Sequence, residues 1–303
     1  MDALKQSACG PGFFGLDFNG DDSADVLLDF VELEQFTEAL FDRPSEEKKQ
    51  HDFRKAGRVL GFKAIGTENG AVLGRPDGFE LFMLPQNEFV LPPDRSHRPL
   101  PPFLDSKRGF LEACMRTYQK IGQIILQRLT EALELNDEIL LAHAKDKPSM
   151  TSLSFLKYPP QQPQSSQVGH IPHTDIGSLT ILLTGQKGLQ VVDPECQKWV
   201  FIEPKAGQLI VQFGDSMQFL SRGRISSSLH RVFPFPEAPY ATKYTIAYFM
   251  RPNVEAEIPV EDGSVWLYKD LHCRKMDAFS SPIRASREDE VEIISTASPV
   301  VVE

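Results

Sequence analysis

His173-Thr174-Asp175 is where residue types and spacing in this 303-residue chain most plainly suggest chemistry. It lies between Ile171 and Thr180, a stretch that reads as a strand running into a turn ahead of the apolar run Leu179 to Leu183. On an extended backbone, residues i and i+2 project to one side, so His173 and Asp175 can face one ion. An imidazole nitrogen and a carboxylate oxygen so placed are two members of a 2-His-1-carboxylate facial triad, a ligand set that leaves positions open on non-haem Fe(II). A second histidine is then required. Of the seven, His51, His97, His143 and His272 fall in stretches read as helix, loop or linker and are expected to be surface or capping residues. His170, three before His173, should fall on the opposite face of the same extended segment. His230, in Ser226 to Val232, lies in a late predicted strand that a jelly roll would bring back beside an early one. His-x-Asp alone also arises by chance, and a lone strand histidine is usually a hydrogen-bonded core residue.

Positioning such a set needs a rigid frame. After Pro148 the chain reads as short β-type runs at Leu153 to Leu156, Leu179 to Leu183, Leu189 to Val192, Trp199 to Ile202, Leu209 to Phe213, Met217 to Leu220, Leu229 to Phe235 and Tyr244 to Phe249. Gly, Pro and Asp turns punctuate them, a spacing that predicts a double-sheet jelly roll. Upstream, Gly12 to Phe18 reads as a short strand. Residues 24 to 41 carry Leu27, Val31, Leu33, Phe36, Leu40 and Phe41 at helical spacing, and Ser45 is the expected N-cap of a second short helix. Residues 57–78 are glycine-rich and irregular, with a turn at Pro76-Asp77-Gly78, and Phe79 to Leu84 reads as a strand. A proline-rich connection over 91–105 leads to a long helix whose stripe runs Leu111, Cys114/Met115, Tyr118, Ile121, Ile125, Leu129 and Leu133, a support packed on a sheet. Residues 265–280 suggest a last helix before a polar tail. The predicted class is α+β, mainly β. A double-stranded β-helix (jelly roll) core is flanked by N-terminal helices that include the long support helix. The expected parts of this one structural unit are an N-terminal region 1–105, the support helix 106–150, the catalytic core 151–252 and a C-terminal helix and tail 253–303.

Composition narrows the partners. A net charge of −10 argues against nucleic acid or an anionic membrane surface. The four cysteines (Cys9, Cys114, Cys196, Cys273) are scattered without a C-x-x-C pair, as expected of reduced thiols. The N-terminal residues hold no apolar signal core and no run approaches a membrane span, so a soluble, cytoplasmic protein is expected.

Six segments in order carry a resemblance. They are Gly12-Phe-Phe14; Leu40-Phe-Asp-Arg-Pro-Ser-Glu-Glu-Lys48; Phe155-Leu-Lys-Tyr-Pro-Pro160; His173-Thr-Asp175; Gly207 to Val232, with Gly214-Asp215 and Leu229-His-Arg-Val232; and Tyr244-Thr-Ile-Ala-Tyr-Phe-Met-Arg-Pro252. Together the chain resembles the isopenicillin-N-synthase-like branch of the Fe(II)/2-oxoglutarate-dependent oxygenases, and in texture its fungal members. The resemblance implies His173, Asp175 and His230 as iron ligands, with 2-oxoglutarate and O2 as co-substrates. It also implies oxidation of a C–H bond of a small organic metabolite (hydroxylation, desaturation or ring rearrangement) with release of succinate and CO2.

One position departs from the family. Its Arg-x-Ser pair, which grips the 5-carboxylate of 2-oxoglutarate, aligns here with Lys243-Tyr244-Thr245. Lysine keeps the charge but loses the planar fork. The favoured reading is that Lys243 binds as a point charge with Thr245, and that Tyr158 touches the same ligand. Arg231 or Arg251 could substitute, though both are placed less well, or the protein could be an Fe(II) oxidase that does not use 2-oxoglutarate. A zinc hydrolase and a non-catalytic jelly-roll binding protein are the readings from other classes. The chain starts almost at the G-F-F strand, which lends the last of these some support. Leu182, Leu209 and Val211 are candidates for the apolar wall near the iron, and the family resemblance places the substrate among N-terminal loops, the 75–90 segment and the C-terminal helix. Nothing in the sequence indicates an oligomeric state.

Overall fold

The computed structural model describes residues 2–20, 24–52, 61–67, 77–91, 100–160, 170–233, 235, 237 and 241–280. In chain order its elements are α1 (Asp2–Cys9), β1 (Phe13–Asp17), α2 (Ala24–Phe41), α3 (Ser45–Lys49), β2 (Gly61–Lys63), β3 (Glu80–Pro85), α4 (Asn87–Val90), α5 (Pro102–Asp105), α6 (Arg108–Ala132) and α7 (Glu138–Leu141). There follow β4 (Ser152–Tyr158), β5 (His170–His173), β6 (Leu179–Leu183), β7 (Leu189–Val192), β8 (Trp199–Phe201), β9 (Gln208–Phe213), α8 (Asp215–Leu220), β10 (His230–Val232), β11 (Lys243–Met250), β12 (Glu257–Pro259), β13 (Val265–Leu267) and α9 (Tyr268–Ser280). A large sheet has the order β1-β9-β6-β11-β4-β3-β2, and a smaller one the order β5-β10-β7-β8. All pairings are antiparallel, and the second sheet brings β5 and the late β10 side by side.

Strand alternation divides the interior in two. In β11, Ile246, Tyr248 and Met250 enter the main core beneath α6, where Tyr118 and Tyr248 stack with ring centroids 5.4 Å apart. The alternate residues Lys243, Thr245, Ala247 and Phe249 line a cavity between the sheets. The same parity puts Leu209 and Val211 of β9 in the core and leaves Ile210 and Gln212 on the other face. Of the three expected wall residues, only Leu182 therefore lines the cavity. The long helix runs over 25 residues, with Leu111, Cys114, Met115, Tyr118, Ile125 and Leu129 buried along one stripe.

Several local expectations are corrected. Met217 to Leu220 is not a strand but part of α8. Met217, Phe219 and Leu220 are buried around a single turn, and so short an apolar run gives periodicity nothing to separate strand from helix. Ser45 is the first residue of α3, with Pro44 at the cap and no side-chain hydrogen bond there. Val31 is half exposed rather than packed. His143 caps α7 through the Ile139 carbonyl but is buried, and His272 is fully buried. Neither is a surface residue. His97, the residue Pro76 of the expected turn and the tail beyond residue 280 lie outside the described residues. The four cysteines are free, as read, and no described helix is long and apolar enough to cross a membrane.

Candidate active site

β5 ends at His173, the chain turns through Thr174 to Ser178, and β10 enters opposite with His230 paired to His173. The His173 and His230 Nε2 atoms stand 3.7 and 3.9 Å from the two Asp175 carboxylate oxygens. Two donors each about 2.1 Å from one ion lie no more than about 4.2 Å apart, so both separations suit a shared metal. The opposite ring nitrogens are already committed. Nδ1–H of His173 donates to the Ile171 carbonyl at 2.7 Å, and that of His230 to the Ser228 carbonyl at 3.0 Å. Those bonds fix the tautomer in which Nε2 of each ring carries the lone pair. Burial, with His230 beside it, pushes the His173 pKa down to about 3. Burial alone would raise the Asp175 carboxyl, but His230, His173, the Thr180 hydroxyl and Lys275 together hold it below its usual range. Neutral imidazole and ionised carboxylate are the forms that bind metal, so this donor set fits Fe(II).

The loop carrying Asp175 is braced on every side. Its backbone carbonyl accepts from Asp215 N at 2.7 Å, Ser216 Oγ donates to the Ile176 carbonyl at 2.6 Å, and Ser178 N donates to the Met250 carbonyl at 2.9 Å. Gly214 passes so close that a Cβ there would sit 2.5 Å from the Asp175 carbonyl oxygen, which excludes any larger residue. Thr180 Oγ1 donates to the Asp175 carboxylate itself. From α9, Lys275 donates to Thr174 Oγ1 at 2.9 Å and to the buried Asp215 carboxylate.

The triad opens on a cavity of about 480 Å³. Lys243 and Tyr158 face each other across β11 and β4, and both line this cavity with Thr245. Lys243 Nζ donates to Thr184 Oγ1 at 2.5 Å and to the Gln186 carbonyl at 2.7 Å, and burial lowers its pKa to about 7. Gly188, at φ +144°, leaves room for the lysine stem. Thr245 Oγ1 is buried without a partner, as suits a hydroxyl awaiting a ligand oxygen. Arg231 is turned away, its Nε on Gln190 and its guanidinium over Trp199.

The profile of the 2OG-Fe(II) oxygenase superfamily matches residues 149–252. The 2-oxoglutarate-dependent dioxygenase ecdG of Aspergillus rugulosus is 45% identical over 96% of this chain and 88% of its own length. The chain belongs to the 2OG-Fe(II) oxygenase superfamily. It is thus a non-haem Fe(II)- and 2-oxoglutarate-dependent dioxygenase, an oxidoreductase that uses O2. The 2-oxoglutarate-dependent dioxygenase gloE of Glarea lozoyensis is 32% identical over 95% of this chain and 85% of its own length. Among solved structures, a full-length Neurospora crassa protein in complex with alpha-KG and thymine shares the fold at a TM-score of 0.73 and 20% identity, covering 91% of this chain and 90% of that one. JOX2 in complex with 2OG, Fe and JA gives 0.72 at 20% identity over 97% and 85%. Oxygenases of this superfamily have a jelly-roll core, as the strand spacing predicted. The zinc-hydrolase, 2-oxoglutarate-independent oxidase and non-catalytic readings find no support here.

Several residues around this oxygenase's cavity had no individual signal in the sequence. His170 was expected to face away. The pairs His230–His173 and Val232–His170 leave one extra residue on β5, a bulge that turns His170 to the cavity face, where its ring lies 4.2 Å from that of His173. Lys275 and Asp215 lie 60 residues apart in the chain and could not be paired by pattern. A second such pair, Lys63 Nζ to Asp77 Oδ1 at 2.5 Å, lies beside the same cavity with both side chains fully buried, and Lys63 sits 3.6 Å from the Phe79 ring centroid. Lys63→Met removes the cation that faces the buried Asp77 carboxylate and should lower unfolding stability by roughly 3–5 kcal/mol, the scale of breaking a buried pair. The double variant Lys63→Met/Asp77→Leu should recover most of it. Denaturant unfolding of both variants checks this, and a single variant within about 1 kcal/mol of wild type, on the order of a surface pair, would show the pair to be solvated.

Proposed function

We propose that His173, Asp175 and His230 hold the iron of this dioxygenase, and that Lys243, with Thr245 and Tyr158, holds the distal carboxylate of 2-oxoglutarate. The observation that carries this reading is the convergence of two imidazole Nε2 atoms and one carboxylate, close enough to share one ion, on a cavity that also holds a buried lysine. When bound, Fe(II) with 2-oxoglutarate and O2 supplies the oxidising power that releases succinate and CO2 and oxidises a substrate C–H bond. The chain's own residues do the positioning. The Ile171 and Ser228 carbonyls aim the two imidazoles, Thr180 orients the Asp175 carboxylate, and Lys243 supplies a cation at a fixed distance from the triad. Leu156, Leu182 and Phe249 on the cavity wall exclude water from the reacting centre.

The substrate we infer is a small molecule. A cavity of about 480 Å³ is the size of a small-molecule site, and the fungal relatives support a specialised metabolite. As expected, Phe79, Leu81 and Met83 of the 75–90 segment and Cys273, Met276 and Asp277 of α9 contribute walls. Whether the outcome is hydroxylation, desaturation or rearrangement depends on where these walls hold the reacting carbon. The net charge of −10 supports no nucleic-acid or membrane role, and we place the protein in the cytoplasm on its composition. We assign residues 151–252 as the catalytic core, with 1–105, 106–150 and 253–303 built onto it as one unit.

Anaerobic titration tests the assignment. One equivalent of Fe(II) should bind, and 2-oxoglutarate should then produce the weak visible band of the iron–keto-acid pair. Iron binding without that band would count against the Lys243 pocket, and no iron binding would sink the triad.

A further inference from the structure

The cavity extends past the metal ligands in the direction away from Lys243. Lys243, Thr245, Ala247, Phe249 and Arg251 are alternate positions of β11 and its continuation, and all five line it. Phe249 pairs across the sheet with Thr180, the residue that donates to Asp175. Arg251 is one step beyond that row, on the opposite side from Lys243.

Three polar side chains at this end carry buried atoms without a partner. Arg251 is buried, and its Nη1 donates to the Met150 carbonyl at 2.6 Å and to Ser152 Oγ at 2.8 Å. Its Nε has no partner, and among the described residues it forms no ion pair. His272 of α9 is fully buried, with Nε2 unpartnered and Nδ1 3.4 Å from the Tyr268 hydroxyl. Gln212, beside Thr180 on β9, is 1% exposed with both amide atoms unpartnered. Buried polar groups are nearly always satisfied, and a buried guanidinium without a counter-ion is costly. All three residues line the cavity, so a ligand there can reach them. Asp175 acts on the Arg251 guanidinium from a distance but forms no ion pair with it. A carboxylate matches the set, because it can pair directly with the guanidinium and its two oxygens accept from the guanidinium edge and from neighbouring N–H groups.

We propose that Arg251, with His272 and Gln212, binds a carboxylate of the primary substrate, so that this enzyme oxidises a carboxylic acid whose reacting carbon lies between that end of the cavity and the metal. The inference rests on Lys243 holding 2-oxoglutarate, which leaves the Arg251 end to the substrate.

The test uses the full chain without metal and a matched pair of probes, 4-phenylbutyrate and 4-phenylbutan-1-ol, titrated calorimetrically. Wild type should bind the acid about tenfold more tightly than the alcohol or better, the scale of one charge-assisted hydrogen bond. Arg251→Gln should bring the two to parity, His272→Leu should narrow the ratio several-fold, and Lys243→Met should leave it intact. The proposal is overturned by no acid preference in wild type, by a preference that survives Arg251→Gln, or by one lost in Lys243→Met instead. Arg251 also ties down Met150 and Ser152, so if Arg251→Gln does not fold, His272→Leu decides. That residue has only one long contact, and an unchanged ratio in its variant overturns the proposal. The 2-oxoglutarate affinity of the same variants, loaded with Fe(II) anaerobically, separates the two readings. If it falls with Lys243→Met while the phenylbutyrate preference ignores Arg251, only this proposal fails. If it falls with Arg251→Gln instead, the assignment of Lys243 fails first.

Discussion

Asp175→Asn yields a folded protein that binds Fe(II) more than about a hundredfold more weakly and turns over 2-oxoglutarate at background rate. A hundredfold is the upper end of what removing an orienting partner costs, so loss of a ligand must exceed it. Asparagine keeps the shape, and its amide oxygen can still accept from Thr180, so the braced loop from Thr174 to Ser178 has no reason to rearrange. The charge is what disappears. Two neutral imidazoles and an amide oxygen cannot offset a divalent ion in a buried site as a carboxylate does. Thr180→Val should have the smaller effect, about 10–100-fold in iron affinity, because the carboxylate remains but loses the hydroxyl that aims it. Equilibrium Fe(II) titration with succinate release measures both, and unfolding temperatures within a few degrees of wild type show that the fold is kept. Wild-type iron affinity in Asp175→Asn would remove Asp175 from the ligand set.

Lys243→Met should raise the dissociation constant for 2-oxoglutarate by about tenfold to about 150-fold, the range for one charge-assisted hydrogen bond. The wild-type enzyme should also show a pH dependence that the arginine-bearing pattern would lack. Burial lowers the Lys243 pKa from 10.5 to about 7, so above pH 7 the empty cavity holds mainly the neutral amine. An entering carboxylate favours the ammonium form and raises that pKa, so binding takes up a proton. The sign follows: affinity is level below about pH 7 and falls by about tenfold per pH unit above it, until the pKa of the complex is reached. Lys243→Arg should abolish the slope, since a guanidinium stays charged throughout. Affinities measured between about pH 6.5 and 9 decide the matter. A flat wild-type profile would mean that Lys243 is already charged in the empty cavity.

The parts of this molecule that could be read from sequence are those governed by short periods. β6 and β7 fall where the apolar runs placed them, and α6 follows its stripe, because burial on one face repeats within a few residues. The cluster proposed to hold iron, His173, Asp175 and His230, could be picked out because two side chains two apart on one strand form a local pattern and the third has a characteristic setting. Parity is where reading failed. Alternation in Leu209 to Phe213 does not say which face meets the cavity: Leu209 and Val211 turn into the main core, Ile210 and Gln212 lie on the other face, and Gln212 lines the cavity. A single extra residue on β5 reversed the face expected for His170. The buried partners Lys63–Asp77 and Lys275–Asp215 are charged residues of ordinary appearance, and only the fold brings them together. Arg251, set aside as poorly placed for 2-oxoglutarate, lines the same cavity at its far end.

The strand order also sets a timetable for assembly. β1 is made first, yet its partner in the large sheet is β9, with Phe13 opposite Gln212. The cavity walls come from distant parts of the chain, Lys63 and Phe79 early and Met276 and Asp277 last. A chain emerging from the ribosome therefore completes the proposed ligand set only at His230, and Lys275 can brace Thr174 and Asp215 only when α9 is out. Pairings so distant in sequence close slowly. Until α9 docks, the loop that carries Asp175 lacks one of its anchors.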